Sequence, residues 1–154
     1  MEKIVSLSAN LSKPEILIML ARVPIFTGIG FTEQSILADH FDIENYGPGE
    51  ILIEQDAIGD KLYVIVQGSV EVSIRTSSGW KRVNILGRGE VIGEIAILRN
   101  VPRTARITTI SECQFLAICA QEFLKVYQYF TPSARDNIQL IITKRLQELA
   151  DYRH

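Results

Sequence analysis

Histidine and cysteine are scarce in this sequence of 154 residues, which contains two of each. His40 and His154 are far apart in the chain, so a zinc or iron site built on imidazoles is not expected. A Ser-His-Asp triad would have to use one of them, and no Gly-x-Ser-x-Gly motif accompanies either. Cys113 and Cys119 lie at the ends of a predicted strand, and we interpret both as reduced, small apolar residues.

Long apolar runs and an excess of one charge are also missing. No run approaches the ~20 residues that a transmembrane helix needs, and the first residues lack the apolar core of a signal peptide. The formal net charge of −2 offers no basic surface for nucleic acid. The composition is that of a globular protein, and the length suits a single domain over residues 1–154. We therefore expect a cytoplasmic protein without a membrane span or direct DNA binding.

Glycine is absent from both ends of the chain, because all ten glycines lie between Gly28 and Gly93. Glycine marks tight turns, so a turn-rich middle is flanked by turn-poor arms. We predict N-terminal helices within residues 1–41, a β-roll over 42–119 and C-terminal helices within 120–154.

The front arm carries helix signals. Ser12 and Glu15 form the pattern of a capping box, which predicts the start of a helix. A second short helix is predicted to start after Thr32 and to run to Phe41.

The middle of the chain is typical of β structure. Residues 70–75 alternate apolar and polar side chains, which is the period of a half-buried strand. The predicted strands are 51–54, 62–66, 70–75, 80–86, 106–110 and 113–118. Short strands separated by regular turns favour a sandwich, roll or barrel.

Residues 91–106 combine the features of a phosphate site. Gly93 and Glu94 follow a β segment and open a short apolar stretch, whose free backbone N–H groups would suit an anion. Arg103 follows ten residues later, and its forked guanidinium matches phosphate oxygens. Thr104 adds a hydroxyl, and the Glu94 carboxylate suits a sugar hydroxyl. Each feature alone is commonplace, but their combination favours a ligand with a phosphate and a sugar.

This segment resembles the phosphate-binding cassette of cyclic-nucleotide-binding domains. The family pattern of Gly-Glu, an apolar run, a short turn and Pro-Arg-x-Ala is matched by residues 92–98 and 102–105. The resemblance extends to residues 23–26, which look like the start of the family's first helices, and to hairpins over 46–72. It implies a mainly β fold, an antiparallel double-stranded β-roll of jelly-roll type with helices at the N-terminus and two at the C-terminus. It also implies a sensor of cAMP or cGMP rather than an enzyme, with no metal or cofactor.

The resemblance assigns roles within the cassette. Glu94 takes the ribose 2′-hydroxyl and Arg103 pairs with the cyclic phosphate. The implied lining of the pocket is Gly93, Ile95, Ala96, Thr104, Ala105, Val72 and Leu86. Between the two nucleotides, cAMP is favoured as the commoner ligand of the family.

Three positions depart from the family pattern, and the first is Ile92, which stands where a Phe is common. Asp56 stands in the first hairpin turn, and we expect the turn to survive because Asp tolerates left-handed geometry. Arg106 stands where a Thr, Ser or apolar residue is usual, and its charge is expected either to add to the field of the pocket or to reach solvent.

The rear arm is predicted to hold a helix over 121–130 and a second helix capped by Thr131, with Pro132 in its first turn. An apolar stripe recurs near the helical period along the second helix and consists of Ile138, Ile141, Ile142, Leu146 and Leu149. We expect this stripe to pack on the β-roll, to close over the ligand as a lid, or to pair with a second copy or an effector protein. The candidate lid residues are Arg145, Leu146, Leu149 and Tyr152. Tyr152 either stacks on the purine or lies in solvent.

Two other functions compete with nucleotide sensing. A degenerate domain of the same fold would serve as an interaction scaffold, although it would be expected to lose Glu94 or Arg103. A cupin-type enzyme would need clustered histidines, which this sequence lacks. No helix-turn-helix follows the last predicted helix, so DNA regulation by this chain alone is not expected.

Overall fold

A computed structural model of the chain describes residues 11–152, the last of them by its backbone alone. The predicted N-terminal helical arm is thus described from residue 11 onward. The helices are α1 (Lys13–Arg22), α2 (Phe31–His40), α3 (Glu94–Leu98), α4 (Ala120–Tyr127) and α5 (Pro132–Tyr152), with a 3-10 turn at Pro24–Phe26. The strands are β1 (Asp42–Tyr46), β2 (Ile51–Ile53), β3 (Lys61–Gln67), β4 (Val70–Thr76), β5 (Gly79–Leu86), β6 (Val91–Ile92), β7 (Arg106–Thr109) and β8 (Cys113–Cys119).

The eight strands form two antiparallel four-stranded sheets. The strand order is β1-β8-β3-β6 in the first sheet and β2-β7-β4-β5 in the second. Each sheet joins strands that are distant in sequence, since β8 lies between β1 and β3 and β7 lies between β2 and β4. This arrangement confirms the predicted antiparallel β-roll with helices at both ends.

The apolar core has two parts, and strand β8 contributes to both because its side chains alternate between the two faces. Phe115 and Ala117 belong to a cluster formed by residues of both sheets. Leu116 and Ile118 belong to a second cluster, in which the first sheet packs against the helices. The helices are therefore held on the outer face of the first sheet.

The N-terminal helices follow their sequence signals with one shift. The Ser12 backbone N–H donates to Glu15 Oε1 at 2.9 Å, and the capping box at the start of α1 is confirmed. Helix α2 begins at Phe31, before the predicted start, and ends at His40. Gly30 occupies its N-cap in an extended conformation without a side-chain cap, so the sequence carried no capping signal there.

The C-terminal helices are joined by a short turn. Helix α4 ends at Tyr127, three residues before the predicted end. The Thr131 hydroxyl accepts a hydrogen bond from the Ala134 N–H at 3.1 Å, which confirms the predicted cap of α5. Ile138 and Ile142 are fully buried in the core cluster beneath the helices. The first half of the predicted stripe thus packs on the domain itself.

Within the described residues, no helix is long and apolar enough to cross a membrane.

Candidate functional site

Gly93 forms the turn between β6 and α3. Its φ of 93° lies in the left-handed region, where side chains with a Cβ are strained. A Cβ at this position would lie 2.6 Å from Arg103 Nη1 and 2.8 Å from the Lys61 carbonyl oxygen. Glycine is therefore required both by the backbone conformation and by the arginine that packs on it.

Arg103 is a buried cation that is held by main-chain oxygens. Its side chain is 5% exposed. Nη1 donates to the Gly93 carbonyl at 3.0 Å, and Nη2 donates to the Lys61 carbonyl at 2.7 Å. Burial lowers the pKa of the guanidinium from its ordinary value. No carboxylate among the described residues forms an ion pair with it, and a buried cation without a counter-ion is costly. This site is suited to an anionic ligand.

The backbone around Arg103 is fixed by the loop before β3. The Arg103 N–H donates to the Ala57 carbonyl and the Asp56 N–H donates to the Arg103 carbonyl, both at 2.8 Å. Asp56 has a φ of 71°, which confirms the predicted left-handed turn. In the same loop, a Cβ on Gly59 would lie 2.7 Å from Ala96 Cβ and 3.0 Å from Arg103 Cζ. Gly59 was not among the residues predicted for the site, although a glycine just before β3 indicates a close approach of the backbone to other groups.

Glu94 is buried at the start of α3, with 2% of its surface exposed. Burial raises the pKa of its carboxyl above the ordinary value, and the nearby guanidinium of Arg145 opposes that shift. Arg145 Nη1 donates both to Glu94 Oε2 and, at 2.9 Å, to the Val91 carbonyl. Helix α5 is therefore tied directly to the carboxylate of the cassette.

A second link joins α5 to the end of α3. Arg99 Nε donates to Gln139 Oε1 at 2.8 Å, and Arg99 Nη2 donates to the Thr143 hydroxyl at 3.1 Å. Arg99, which follows α3, and Arg145, on α5, thus both hold α5 against the cassette.

A cavity of about 700 Å³ lies between the cassette, the second sheet and α5. All nine residues predicted to touch the ligand line it, and so do two of the predicted lid residues. These eleven are Val72, Leu86, Gly93, Glu94, Ile95, Ala96, Arg103, Thr104, Ala105, Arg145 and Leu149.

The remaining predictions concern two lid residues, Leu146 and Tyr152, and the two cysteines. Leu146 packs against the core cluster beneath the helices and does not line the cavity, because it follows Ile142 by one helical turn. The side chain of Tyr152 lies outside the described residues. Cys119 is exposed, so only Cys113 behaves as a buried apolar residue.

Arg106 does not line the cavity, and its side chain is 27% exposed, so of its two expected placements the one toward solvent is the nearer. Its guanidinium donates to the two carboxylate oxygens of Glu54 at 2.7 and 3.1 Å. It also lies 3.7 Å from the centre of the Trp80 ring. Arg106 on β7 therefore contacts β5 and the residue that follows β2, outside the cavity, and its charge is balanced by the Glu54 carboxylate.

Further cavity residues were not identified from the sequence. Asn84 is the register partner of Val72 on the neighbouring strand, so strand pairing could have pointed to it. Lys144 and Glu148 flank Arg145 and Leu149 on α5 and could have been found from helical spacing. The other additional lining residues are Pro24, Ile53, Val83, Glu90, Ile92, Ile107, Ile141 and Asp151.

Comparison with known proteins identifies the family. The family model described as "cyclic nucleotide-binding domain" matches residues 43–130, which is more than half of the chain. This chain belongs to the cyclic-nucleotide-binding domain family.

Members of this family with similar sequences are parts of longer proteins. The chain is 34% identical over 88 residues to a cAMP-dependent protein kinase regulatory subunit of Mycosarcoma maydis, a match that covers 57% of this chain and 17% of that protein. It is 25% identical over 126 residues to the cyclic AMP receptor protein of Thermus thermophilus, covering 81% of this chain and 58% of that one. The chain thus spans less than two thirds of the length of each of these relatives.

Solved structures share the fold of this cyclic-nucleotide-binding domain. The regulatory domain of Toxoplasma gondii PKA, crystallised with cAMP, superposes with a TM-score of 0.75 at 21% identity, covering 80% of this chain and 46% of that one. The regulatory subunit of a cAMP-independent protein kinase A from Trypanosoma cruzi, bound to guanosine, gives 0.71 at 25% identity, covering 86% and 50%. The domain is therefore similar to the regulatory domains of protein kinase A.

Proposed function

We propose that this domain is a sensor that binds a cyclic nucleotide, cAMP in preference to cGMP, and that it has no catalytic role. The observation that carries the proposal is Arg103, a buried guanidinium without a carboxylate partner among the described residues, at a cavity that also contains Glu94. A cyclic nucleotide supplies an anion for the first and a ribose hydroxyl for the second. The cavity volume of about 700 Å³ lies within the range of small-molecule sites.

In this proposal Arg103 pairs with the cyclic phosphate and Glu94 accepts a hydrogen bond from the ribose 2′-hydroxyl. Both Nη atoms of Arg103 donate to carbonyl oxygens, which hold the guanidinium in place. The side chain therefore needs little rearrangement to bind an anion. The purine would lie toward Val72 and Leu86 on the second sheet, between that sheet and α5.

Helix α5 is the proposed lid and output element. Arg145 now donates to the carboxylate that would meet the ribose, so a bound nucleotide must share Glu94 with Arg145 or displace it. Either event changes the hold of the cassette on α5, which could then signal to an effector protein or to a second copy of the domain. A ligand shifts this contact only by its difference in affinity for the two positions. We place this function in the cytoplasm, without direct binding to DNA.

A second candidate is a domain of the same fold that does not respond to cAMP. The internal partner of Glu94 favours it, because Arg145 already occupies the proposed ribose contact. The similarity to a regulatory subunit of a cAMP-independent kinase bound to guanosine also favours it. Such a domain would act as a scaffold or bind a ligand without a phosphate.

Calorimetric titration with cAMP, cGMP and guanosine separates these functions. The proposal predicts saturable binding of cAMP, weaker binding of cGMP and the weakest binding of guanosine. Tighter binding of guanosine than of either cyclic nucleotide would favour the second candidate, and the absence of binding by all three would favour a scaffold.

A further inference from the structure

The carboxylate of Glu94 is buried and depends on one cation from another element. Its side chain is 3% exposed, and the ion pair that it forms among the described residues is with Arg145 on α5. The Arg145 side chain is 28% exposed, so it lies between the buried carboxylate and solvent. A buried charge that loses its only counter-ion is strongly disfavoured. The charge of Glu94 is therefore tied to the position of α5.

The groups closest to Glu94 do not replace this counter-ion. The N–H groups of Glu94 and Ile95 face the carboxylate from α3 itself. Arg103 adds a favourable positive charge from the segment before β7, but its guanidinium donates to carbonyl oxygens and not to the carboxylate. On the side of β3, Lys61 pairs with Glu44, and neither residue lines the cavity.

The more distant charged groups are exposed or engaged elsewhere. The other charged residues that line the cavity are Lys144, Glu148 and Asp151, which are exposed on α5, and Glu90, which accepts from the Gly87 N–H. His40 pairs with Glu122 and does not line the cavity. Among the described residues at the cavity, Glu94 is thus the buried carboxyl whose charge depends on a single ion pair.

A cyclic nucleotide would change the charge on both sides of Glu94. Its ribose 2′-hydroxyl would meet the carboxylate where Arg145 now donates, and a neutral hydroxyl compensates a buried negative charge less than a guanidinium does. Its phosphate would pair with Arg103 and cancel the positive charge that now favours the ionised carboxyl. Both changes disfavour the charged form of Glu94.

We propose that binding of a cyclic nucleotide is coupled to the uptake of one proton by Glu94. The proton comes from the solvent and forms an O–H bond on the carboxyl group as the Arg145 guanidinium leaves it. The neutral carboxyl keeps the ribose contact, because its carbonyl oxygen accepts a hydrogen bond and its O–H group donates one. This inference rests on the proposed function, since it needs the nucleotide at Arg103 and Glu94.

The coupling makes nucleotide affinity depend on pH in one direction. A group that takes up a proton on binding favours the complex as the pH falls. One proton changes the affinity by at most about tenfold per pH unit. The native domain should therefore bind cAMP about three- to tenfold more tightly at about pH 6 than at about pH 8. Such a domain would respond to acidification as well as to the nucleotide.

Calorimetric titration of the full chain with cAMP counts the proton. Titrations in PIPES and in imidazole at about pH 6.5 differ in observed enthalpy by the proton uptake, because the two buffers have different enthalpies of ionisation. We expect uptake of about 0.3–1 proton for each cAMP bound. Saturable binding without uptake would overturn this inference and leave the proposed function standing. The absence of cAMP binding would contradict both.

Variants assign the proton to Glu94. Glu94→Gln has a side chain of similar size that cannot titrate, so its complex should form without uptake. Arg145→Met should take up fewer protons than the native chain, because its Glu94 has no counter-ion to lose. The control Glu148→Gln removes an exposed carboxylate from the same cavity and should keep the native uptake, whatever its effect on affinity.

Two results with these variants would overturn the proposal. They are undiminished uptake in Glu94→Gln and loss of uptake in Glu148→Gln. If Glu94→Gln binds cAMP too weakly for titration, Arg145→Met decides, and undiminished uptake in that variant would contradict the coupling.

Discussion

Glu94 is the residue on which the ribose assignment depends. Its buried carboxylate faces the cavity at the start of α3. A hydrogen bond to a charged group contributes about 1.5–3 kcal/mol, so the native domain should prefer cAMP over 2′-deoxy-cAMP by about one to two decades in affinity. The variant Glu94→Gln should discriminate less, which competitive titration with the two nucleotides measures. An identical preference in both proteins would remove Glu94 from the ribose contact.

Gly93 links backbone geometry to the position of Arg103. In Gly93→Ala the new Cβ would meet Arg103 Nη1 at 2.6 Å, so the guanidinium must move. Gly28 is a matched control, because its φ of 89° imposes the same strain while a Cβ added there would have nothing within 4 Å. Gly28→Ala should lose about 1–2 kcal/mol of unfolding free energy through this strain. Gly93→Ala should lose more, because its Cβ would also lie 2.8 Å from the Lys61 carbonyl oxygen. Only Gly93→Ala should lose nucleotide affinity, and equal affinities of the two variants would contradict the role of this glycine.

The identity of a charged residue did not predict whether its side chain lines the cavity or forms an ion pair elsewhere. Glu94 and Arg103 stood out because their spacing matches a known pattern, and both line the cavity. Arg106 looked equally available, but it is contacted by Glu54, which follows β2, and by Trp80 on β5. That pairing depends on β2, β5 and β7 lying in one sheet, which the local sequence does not specify.

At the scale of the element, α5 is coupled to the site through Arg145. The Arg145 guanidinium opposes the upward shift that burial gives the pKa of Glu94, so Arg145→Met should raise that pKa further. A carboxyl whose pKa is raised by folding stabilises the folded state while it is protonated, and that stabilisation is lost as the pH rises through the folded pKa. The variant should therefore lose little stability below the ordinary pKa of 4.5 and most at neutral pH, by about 1–3 kcal/mol.

Urea unfolding of the native chain and of Arg145→Met at several pH values tests this dependence. Lys144→Met removes a neighbouring charge from the same helix and serves as the control. A loss in Arg145→Met that is independent of pH would show that Arg145 acts by packing alone.

Hydrogen exchange tests whether α5 moves with the ligand. Amides within 131–152 should change protection when cAMP is added, because the ribose and Arg145 meet the same carboxylate. Amides within 91–106 should exchange more slowly with cAMP than without it whenever the domain binds the nucleotide, whether or not α5 moves. Clear protection of 91–106 with unchanged exchange in α5 would rule out this helix as the lid.

Elements with strong local signals were predictable, and elements defined by pairing were not. The alternation of 70–75 matches β4, and Thr131 caps α5 as expected. Strand β1 (Asp42–Tyr46) was not marked as a strand because its residues are largely polar and it lies at a sheet edge. A β segment was expected before Gly93, but its bounds could not be given, because β6 has only two residues and pairs with the distant β3.

For the whole molecule, the family resemblance supplied what local patterns could not. The cavity is assembled from the cassette, β2, β4, β5, β7 and α5, which lie far apart in sequence. Local periodicity gives no order of strands, so Ile53 on β2 and Ile107 on β7 could be assigned to the cavity only from the three-dimensional structure.

The central claim is that Arg103 holds the phosphate of a cyclic nucleotide, and one calorimetric cycle tests it. The native chain and Arg103→Lys are each titrated with cAMP and with adenosine, which lacks the phosphate. Loss of the forked, charge-assisted contact should weaken cAMP binding by about one to two decades and leave adenosine binding unchanged. Equal losses for the two ligands, or no loss for cAMP, would contradict the account.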